Sequence, residues 1–541
     1  CTIFGCWQQL DWLVDRDVED NKTGILNLKK MKNRITLLLI IWTLSISHSD
    51  AQKIKLDSLD IFIHRLMRDF DVPGLAIGIV QNDAVLYSKG FGTREINKKL
   101  PVDENTLFGI GSISKSMTAL TLGILVDEGK INWDDKVKTY LPYFELYDPY
   151  VTENFTIRDL LTHRSGLRSV SGGALYYHSD YSREEIIKRI KYLEPIAGFR
   201  EKPAYQNLTY LVASEIVKVV SGMSWDDFVK ERVFAKLNMS NTTTLSTVRE
   251  ASNNLAQPHT LNENYQKVAI TQEKGDNLAP AGSVYSSAKE MTNYMRLLLN
   301  KGAFGKDTLV SQQIIQEIFK PQIHYAISGD QFANEFTSYG FGWWLTPKKG
   351  HKVIEHSGGI DGMIANLIMI EDMNVGFVIL SNTRFEPAVF LLSAKLLEDL
   401  IDDKSYEAPY AIKKEQRDGR IDQGKKALNE IEKTKIKNTK PSLAFKDYAG
   451  TYFDKMYGDI IVYQTKIGEL EISFTHTELF KAKLKHWHFD TFKIEWYDTR
   501  VPHGFLTFNF NSKREIIGFS MDQENLLDVD FGELEIKKSK N

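Results

Sequence analysis

Apolar residues recur at helical spacing through "LDSLDIFIHRLMRDFDV", residues 56–72, where Asp57 or Ser58 can cap the start. The next stretch, "PGLAIGIVQNDAVLYSKGFG", predicts two β-strands joined by a turn at Asn82–Asp83, the first too apolar to face water. In "LFGIGSISKSMTALTLGIL" the apolar positions Ile113, Met117, Leu120, Ile124 and Leu125 mark a buried helix. "FTIRDLLTHRSGL" predicts a short helix ended by Gly166, and "NLTYLVASEIVKVVSG" a longer one ended by Gly222. Strand character returns in "FGWWLT", "VIEHSGG" and "ANLIMIEDMNVGFVILSN", and "PAVFLLSAKLLEDLIDD" closes with an amphipathic helix. Helix, sheet, many helices, then sheet and helix again predict an α/β (α+β) domain. Its antiparallel sheet draws strands from both ends, is flanked by helices and carries an inserted helical region.

Two further segments follow. Residues 404–440 are charged and poor in large apolar side chains, a linker with some helical content. From residue 441 to 541 short alternating runs such as "DIIVYQT", "ELEISFT", "TFKIEWY" and "GFLTFNFN" predict an all-β domain, barrel or sandwich.

Composition narrows the function class. With 42% hydrophobic and 26% charged residues the chain reads as a soluble globular protein. Its formal net charge of −3 supplies no basic excess for nucleic acid, so no nucleic-acid partner is expected. "MKNRITLLLIIWTLSISHSDAQ" has the layout of a secretory signal peptide over residues 31–51. Lys32 and Arg34 precede an apolar stretch from Ile35 to Ile46, and Ser49 and Ala51 give a small-residue exit. Residues 1–30 are then expected to be absent from the mature protein, and residues 52–403 to form the first domain. A periplasmic or secreted location follows, with membrane association only if the segment stays uncleaved. Cys1 and Cys6 both precede Met31, so the exported product has no thiol nucleophile, disulfide or cysteine metal site.

Candidate chemistry begins at Ser112. Ser112 and Lys115 are three apart and share a helix face, while Gly109 and Gly111 permit a sharp turn before them. At a helix N-terminus such a serine can be a nucleophile or only a cap, and the spacing alone does not choose. The pattern repeats as "SSAK", but there Ser287 and Glu290 are expected to form a capping box, and Ser286 is read as a helix cap without chemistry. Lys115 occupies the place a capping glutamate would take and cannot accept a hydrogen bond.

Two later stretches decide it. "PAYQN" sets Tyr205 and Asn207 just ahead of a long helix, and "HSGG" sets His356 on a strand before Gly358 and Gly359. At these residues the sequence resembles the serine penicillin-recognising hydrolases: class C β-lactamases, D-alanyl-D-alanine carboxypeptidases, D-amino-acid peptidases and family VIII esterases. Their ordered signature, Ser-x-x-Lys, Tyr-x-Asn and (Lys/His/Trp)-x-Gly, stands here as "SISK", "YQN" and "HSG". "VPGLAIGIV", "LLTHRSGL" and "LAPAGSVYSSAKEM" extend the likeness over most of residues 57–400.

The resemblance implies a β-lactamase/transpeptidase-like fold and an acyl-enzyme route. Ser112 would be acylated, with Lys115 as its proton acceptor or electrostatic partner. Tyr205 would be base and leaving-group acid, Asn207 would bind the substrate amide, and His356 would hold the substrate's carboxylate end. The N–H groups of Ser112 and Gly359 would form the oxyanion hole, beside Gly358. Unperturbed, Lys and Tyr are both protonated at neutral pH. Two arrangements are therefore open: a cationic Lys115 beside Tyr205, or a desolvated neutral Lys115 beside a neutral phenol.

Within the resemblance, histidine at 356 leans towards peptidases of D-amino-acid-containing peptides or related amides. A β-lactamase or carboxylesterase on the same scaffold is the alternative, and a non-catalytic penicillin-binding, sensory or scaffold module is the alternative of another class. A small-molecule or peptide substrate is the only partner implied. No cofactor or metal is called for: His486 and His488 of "KHWHF" read as a polar strand face and His163 as a packing residue. Of adjacent Trp343 and Trp344, one is expected in the core and one at the cleft rim.

Overall fold

In the computed structural model the described residues are 54–539, apart from 55, 263, 273, 326–335, 385–386 and 403–406. The signal segment expected at 31–51 lies outside them.

Helix α1 (Leu56–Asp69) leads into strands β1 (Gly74–Gln81) and β2 (Ala84–Gly92), the hairpin expected around Asn82–Asp83. Both turn residues take positive φ, which asparagine and aspartate tolerate better than other residues with a Cβ. A long insertion then intervenes, including helices α2 (Ser114–Asp127), α3 (Leu208–Ser221) and α4 (Ala288–Leu299). The sheet resumes with β3 (Ile323–His324), β4 (Ser338–Tyr339), β5 (Trp344–Lys348), β6 (His351–Ile360), β7 (Met363–Ile370) and β8 (Val375–Ser381). Spatial order is β2-β1-β8-β7-β6-β5-β4-β3, antiparallel throughout, so the two ends of the domain meet where β1 pairs with β8.

The strands at the centre are apolar on both faces because helices cover both. Ala76, Val80, Leu367, Met369, Val378 and Leu380 join the main core on the side of α4. Leu75, Ile77, Ile368, Phe377 and Ile379 are equally buried but lie outside that cluster, on the side of α5 (Ala388–Ile401), where Asn366 donates to Ser393 at 2.9 Å. This period of two within one run is what a doubly covered sheet requires.

The charged segment expected as a linker is one 27-residue helix, α6 (Glu407–Lys433). Tyr410 ties it to the body by stacking edge-on against Phe70 at 5.4 Å and donating its hydroxyl to Asp69 at 2.9 Å. Beyond it β9 (Gly450–Asp454), β10 (Gly458–Gln464), β11 (Leu470–Phe474), β12 (Lys481–His488), β13 (Thr491–Trp496), β14 (Gly504–Phe510), β15 (Ile516–Asp522) and β16 (Lys537–Lys538) close into a barrel. The last short strand seals it, pairing with both β9 and β15. Alternation along β10, with Ile460 and Val462 inside and Asp459 and Ile461 outside, is that of a small filled barrel.

The barrel is docked on the first domain. Tyr181 stacks on His476 at 4.0 Å and donates its hydroxyl to the Tyr457 carbonyl, and Arg189 donates to the Met456 carbonyl at 2.9 Å. Nearer the sheet, Arg500 of the barrel lies 3.6 Å from Asp361 on the β6–β7 turn, both side chains under a tenth exposed. His178 and Tyr177 also bond that carboxylate, at 3.2 and 2.7 Å.

Candidate active site

The site begins at a turn that glycine makes possible. Phe108–Gly109 pairs with Tyr285–Ser286, Gly111 adopts φ +54°, and Gly111–Ile113 form a 3₁₀ turn feeding α2. A Cβ on Gly358 would lie 1.9 Å from the Ile110 carbonyl oxygen and 2.8 Å from the Ser112 nitrogen. One on Gly111 would lie 2.5 Å from the Gly359 nitrogen. Only two bare backbones can approach so closely, and this approach sets Ser112 against the end of β6. Ser114 locks the turn by donating to the Gly111 carbonyl at 2.7 Å and accepting from the Val284 N–H at 3.2 Å.

Lys115, on the first turn of α2, is fully buried. Its Nζ lies 3.1 Å from Ser112 Oγ, 2.6 Å from Asn207 Oδ1 and 2.8 Å from the Ala281 carbonyl oxygen. It also sits over the rings of Tyr205 and Tyr210 at 4.7 and 5.5 Å. Burial disfavours the ammonium and Asp528 restores part of the loss, so the pKa falls to about 7. A neutral amine has two N–H bonds and one lone pair. Asn207 Oδ1 and Ala281 O can only accept, so they take both hydrogens and the lone pair is left facing Ser112 Oγ.

Tyr205 and Asn207 are held by the residue between them. The Gln206 N–H donates to His163 Nδ1 at 3.1 Å, its side-chain oxygen accepts from the Leu208 N–H at 3.1 Å, and the Val170 N–H donates to the Tyr205 carbonyl at 2.7 Å. The Tyr205 ring lies on His163 at 4.3 Å. Burial raises the Tyr205 phenol well above its usual range, eased by the neighbouring Ser112 hydroxyl, so it is neutral. Its oxygen makes no hydrogen bond of good geometry among the described residues, although it is buried. His163 takes φ +55° and is packed between Tyr205 and Tyr339, as a packing residue should be.

His356 sits differently from a cationic carboxylate anchor. It is 1% exposed, its Nδ1 donates to the Ser357 carbonyl at 2.6 Å, and its Nε2 accepts from the Tyr339 hydroxyl at 3.0 Å. Burial and the neighbouring Lys115 depress its pKa to about 3, so the imidazole is neutral and placed behind Tyr205, ring centroids 6.3 Å apart. Pairing with β5 ends at Trp344↔Glu355, so among the described residues no strand pairs with β6 over residues 356–359 on that side. There Gly359 and Ser112 both line the cleft.

The cleft also holds residues no motif announced. Tyr177, Leu527 and Asp528 line it with Ser112, Asn207 and Gly359. Asp528 comes from the barrel, between β15 and β16, and accepts from Asn207 Nδ2 at 3.2 Å. Burial raises its carboxyl, opposed by Lys115 and Arg384. Arg384 stands beside Gly359, its Nε 3.2 Å from where a Cβ would be.

Other sequence candidates settle as follows. Ser287, not Ser286, caps α4, accepting from the Glu290 N–H at 3.2 Å, while the Glu290 carboxylate goes to Asn241 and Thr242 instead of closing the box. Trp343 is fully buried, and Trp344 is half-buried against Tyr339 at 4.8 Å. His486 bonds the Phe489 carbonyl oxygen at 3.0 Å. Among the described residues no cluster of three or more His, Cys, Asp or Glu is arranged to hold a metal, and no helix is long and apolar enough to cross a membrane.

A serine and a lysine joined by a hydrogen bond at the head of a buried helix, under a sheet edge rich in glycine, define a class of serine hydrolase. The Beta-lactamase family model matches residues 59–399, and the chain belongs to that family. A second model, a domain of unknown function (DUF3471), matches residues 434–538, the barrel. Penicillin-binding protein 4* of Bacillus subtilis (strain 168) is 30% identical over 352 residues, covering 60% of this chain and 71% of that protein. An unguisins hydrolase of Aspergillus campestris (strain IBT 28561) is 25% identical over 425 residues, covering 72% of this chain and 74% of its own. The octameric penicillin-binding protein homologue from Pyrococcus abyssi has the same fold, with a TM-score of 0.58 at 22% identity. It covers 90% of this chain and 100% of its own.

Proposed function

We propose that this protein is an exported serine hydrolase that cleaves amide bonds, foremost in D-amino-acid-containing peptides, through an acyl-enzyme on Ser112. One observation carries the reading: Lys115 Nζ, with a pKa of about 7, has both its neutral-state hydrogens engaged and its remaining position 3.1 Å from Ser112 Oγ. Of the two arrangements open from sequence, a neutral lysine beside a neutral phenol fits this geometry.

Lys115 accepts the Ser112 proton as Oγ bonds to the substrate carbonyl carbon. The N–H groups of Ser112 and Gly359 stabilise the oxyanion. Tyr205 gives its proton to the departing nitrogen and regains one from Lys115, so the proton taken from serine leaves with the amine. Water then attacks the ester carbonyl carbon as Lys115 takes its proton, and Lys115 returns that proton to Ser112 Oγ as the acyl C–Oγ bond breaks. Similarity to proteins named as a penicillin-binding protein and an unguisins hydrolase supports acyl transfer. The layout of residues 31–51 supports export to the periplasm or medium.

The test is covalent labelling by a fluorophosphonate and by penicillin, read by intact mass, in wild-type protein and Ser112→Ala. One adduct is expected in the first and none in the second; an unchanged adduct in the alanine variant refutes the assignment. Comparing a D-alanine amide, a p-nitrophenyl ester and a chromogenic cephalosporin tests the substrate class. The amide is expected to be turned over best relative to its intrinsic reactivity.

A further inference from the structure

The barrel does more than sit beside the cleft. Its segment between β15 and β16 passes flush over Gly172–Gly173: a Cβ on Gly173 would lie 1.4 Å from the Asp528 carbonyl oxygen, so no side chain can stand there. The segment is pinned on both sides. Trp496 Nε1 donates to Gln523 at 2.9 Å, the Leu526 N–H donates to the Val529 carbonyl at 3.0 Å, and Gly172 N–H donates to Glu533 at 2.8 Å. Asp528 is thereby carried to the side-chain amide of Asn207.

We propose that Asp528, supplied by the C-terminal barrel, is a positioning residue that orients the Ser112–Lys115 pair through the side chain of Asn207. The proposal rests on the hydrolase reading above. Asn207 has one end that donates and one that accepts, and which faces Lys115 decides where the lysine lone pair points. Nδ2 meets Tyr176 Oη at 2.8 Å and Asp528 Oδ2 at 3.2 Å; Oδ1 meets Lys115 Nζ at 2.6 Å. Turned over, the amide would set its oxygen against a carboxylate and its N–H groups against those of Lys115. Asp528 excludes that orientation, and so keeps Oδ1 as the acceptor that draws one Nζ hydrogen away from Ser112.

The charge of Asp528 also bears on Lys115, within a defined set of neighbours. Around Lys115 stand Tyr205, Tyr210, His163 and His356, all neutral in this environment. Around Asp528 stand Arg384, Asp361 and Tyr176. Removing the carboxylate charge takes away an interaction that favours the ammonium, so the neutral amine persists to lower pH.

The experiment is steady-state hydrolysis of p-nitrophenyl acetate from pH 5 to 10 by the full chain and its Asp528→Ala and Asp528→Asn variants, with Ser112 labelling in parallel. Asp528→Ala should lower kcat by about tenfold or more with little change in KM, as for a misoriented catalytic group. Asp528→Asn keeps an acceptor for Asn207. It should retain kcat within a few-fold and move the acid limb of the profile down by about one pH unit. Wild-type kcat and profile in both variants, or an effect confined to KM, would overturn the proposal. If the alanine variant melts early, the near-isosteric asparagine variant decides by its acid limb alone. Loss of Ser112 labelling in the wild-type protein would sink the hydrolase reading and this with it. Intact labelling with unmoved variants sinks only the role of Asp528.

Discussion

Lys115 Nζ stands 3.1 Å from Ser112 Oγ with its two other hydrogen-bond positions closed by Asn207 Oδ1 and the Ala281 carbonyl. In the proposed mechanism this relationship lets Lys115 act as the base. Solvation would hold its pKa near 10.5, and complete burial brings it to about 7.

In the proposed mechanism Tyr205 serves the leaving group and not serine activation, because burial holds its phenol well above the usual range. Tyr205→Phe should therefore lower turnover of an amide by about 10²–10³-fold. A p-nitrophenyl ester, whose leaving group needs no proton, should suffer far less. Stopped-flow or steady-state rates on the two substrates give the comparison; equal losses on both would argue against the assignment.

The contact between Gly358 and the Ile110 carbonyl leaves no room for a methyl group, at 1.9 Å from where it would be. Gly358→Ala should displace β6 from the Ser112 turn, destabilise the fold by about 2–4 kcal/mol, and abolish fluorophosphonate labelling. Thermal melting and intact mass read both effects.

Arg500 and Asp361 join the barrel to the β6–β7 turn with both side chains nearly out of solvent. Arg500→Ala leaves Asp361 buried beside a lost charge, and should cost about 3–5 kcal/mol. Chemical denaturation should show the loss, with a smaller cost for Arg500→Lys.

Burying Lys115 also makes stability depend on pH. Between its folded pKa of about 7 and its unfolded value near 10.5 the unfolded chain binds the extra proton, so stability rises with pH. Relative to Lys115→Met, the wild-type protein should gain stability from pH 7 to pH 10 and show a flat difference below pH 6. Urea titrations at matched pH measure it, and a difference that stays flat from pH 7 to 10 would show that the lysine is not desolvated.

Local spacing carried much of the site. Ser112 and Lys115 share one helical turn, Tyr205 and Asn207 flank one residue, and Gly358–Gly359 end one strand, so each short motif is legible in a few adjacent letters. The sheet was legible for a similar reason: burial of β1 and β7 on both faces follows from their unbroken apolar runs. Charge states were not legible. His356 reads as a holder of the substrate's carboxylate end, but its neutrality depends on Tyr339, Lys115 and the loss of solvent around it. Helix α6, charged on every side, carries no apolar stripe to announce its 27 residues. Asp528 left the least trace, because what brings "LLDVD" to Asn207 is the docking of a whole barrel on Gly172–Gly173, which no periodicity encodes.

The most direct test of a neutral lysine as base is the second-order rate at which a fluorophosphonate labels Ser112, followed from pH 5 to 10 in wild-type protein and His356→Asn. A single rise with an apparent pKa of about 7 in both is predicted, since His356 titrates at about 3 and cannot supply it. A rise displaced to pH 10, or one that disappears when His356 is replaced, would contradict the account.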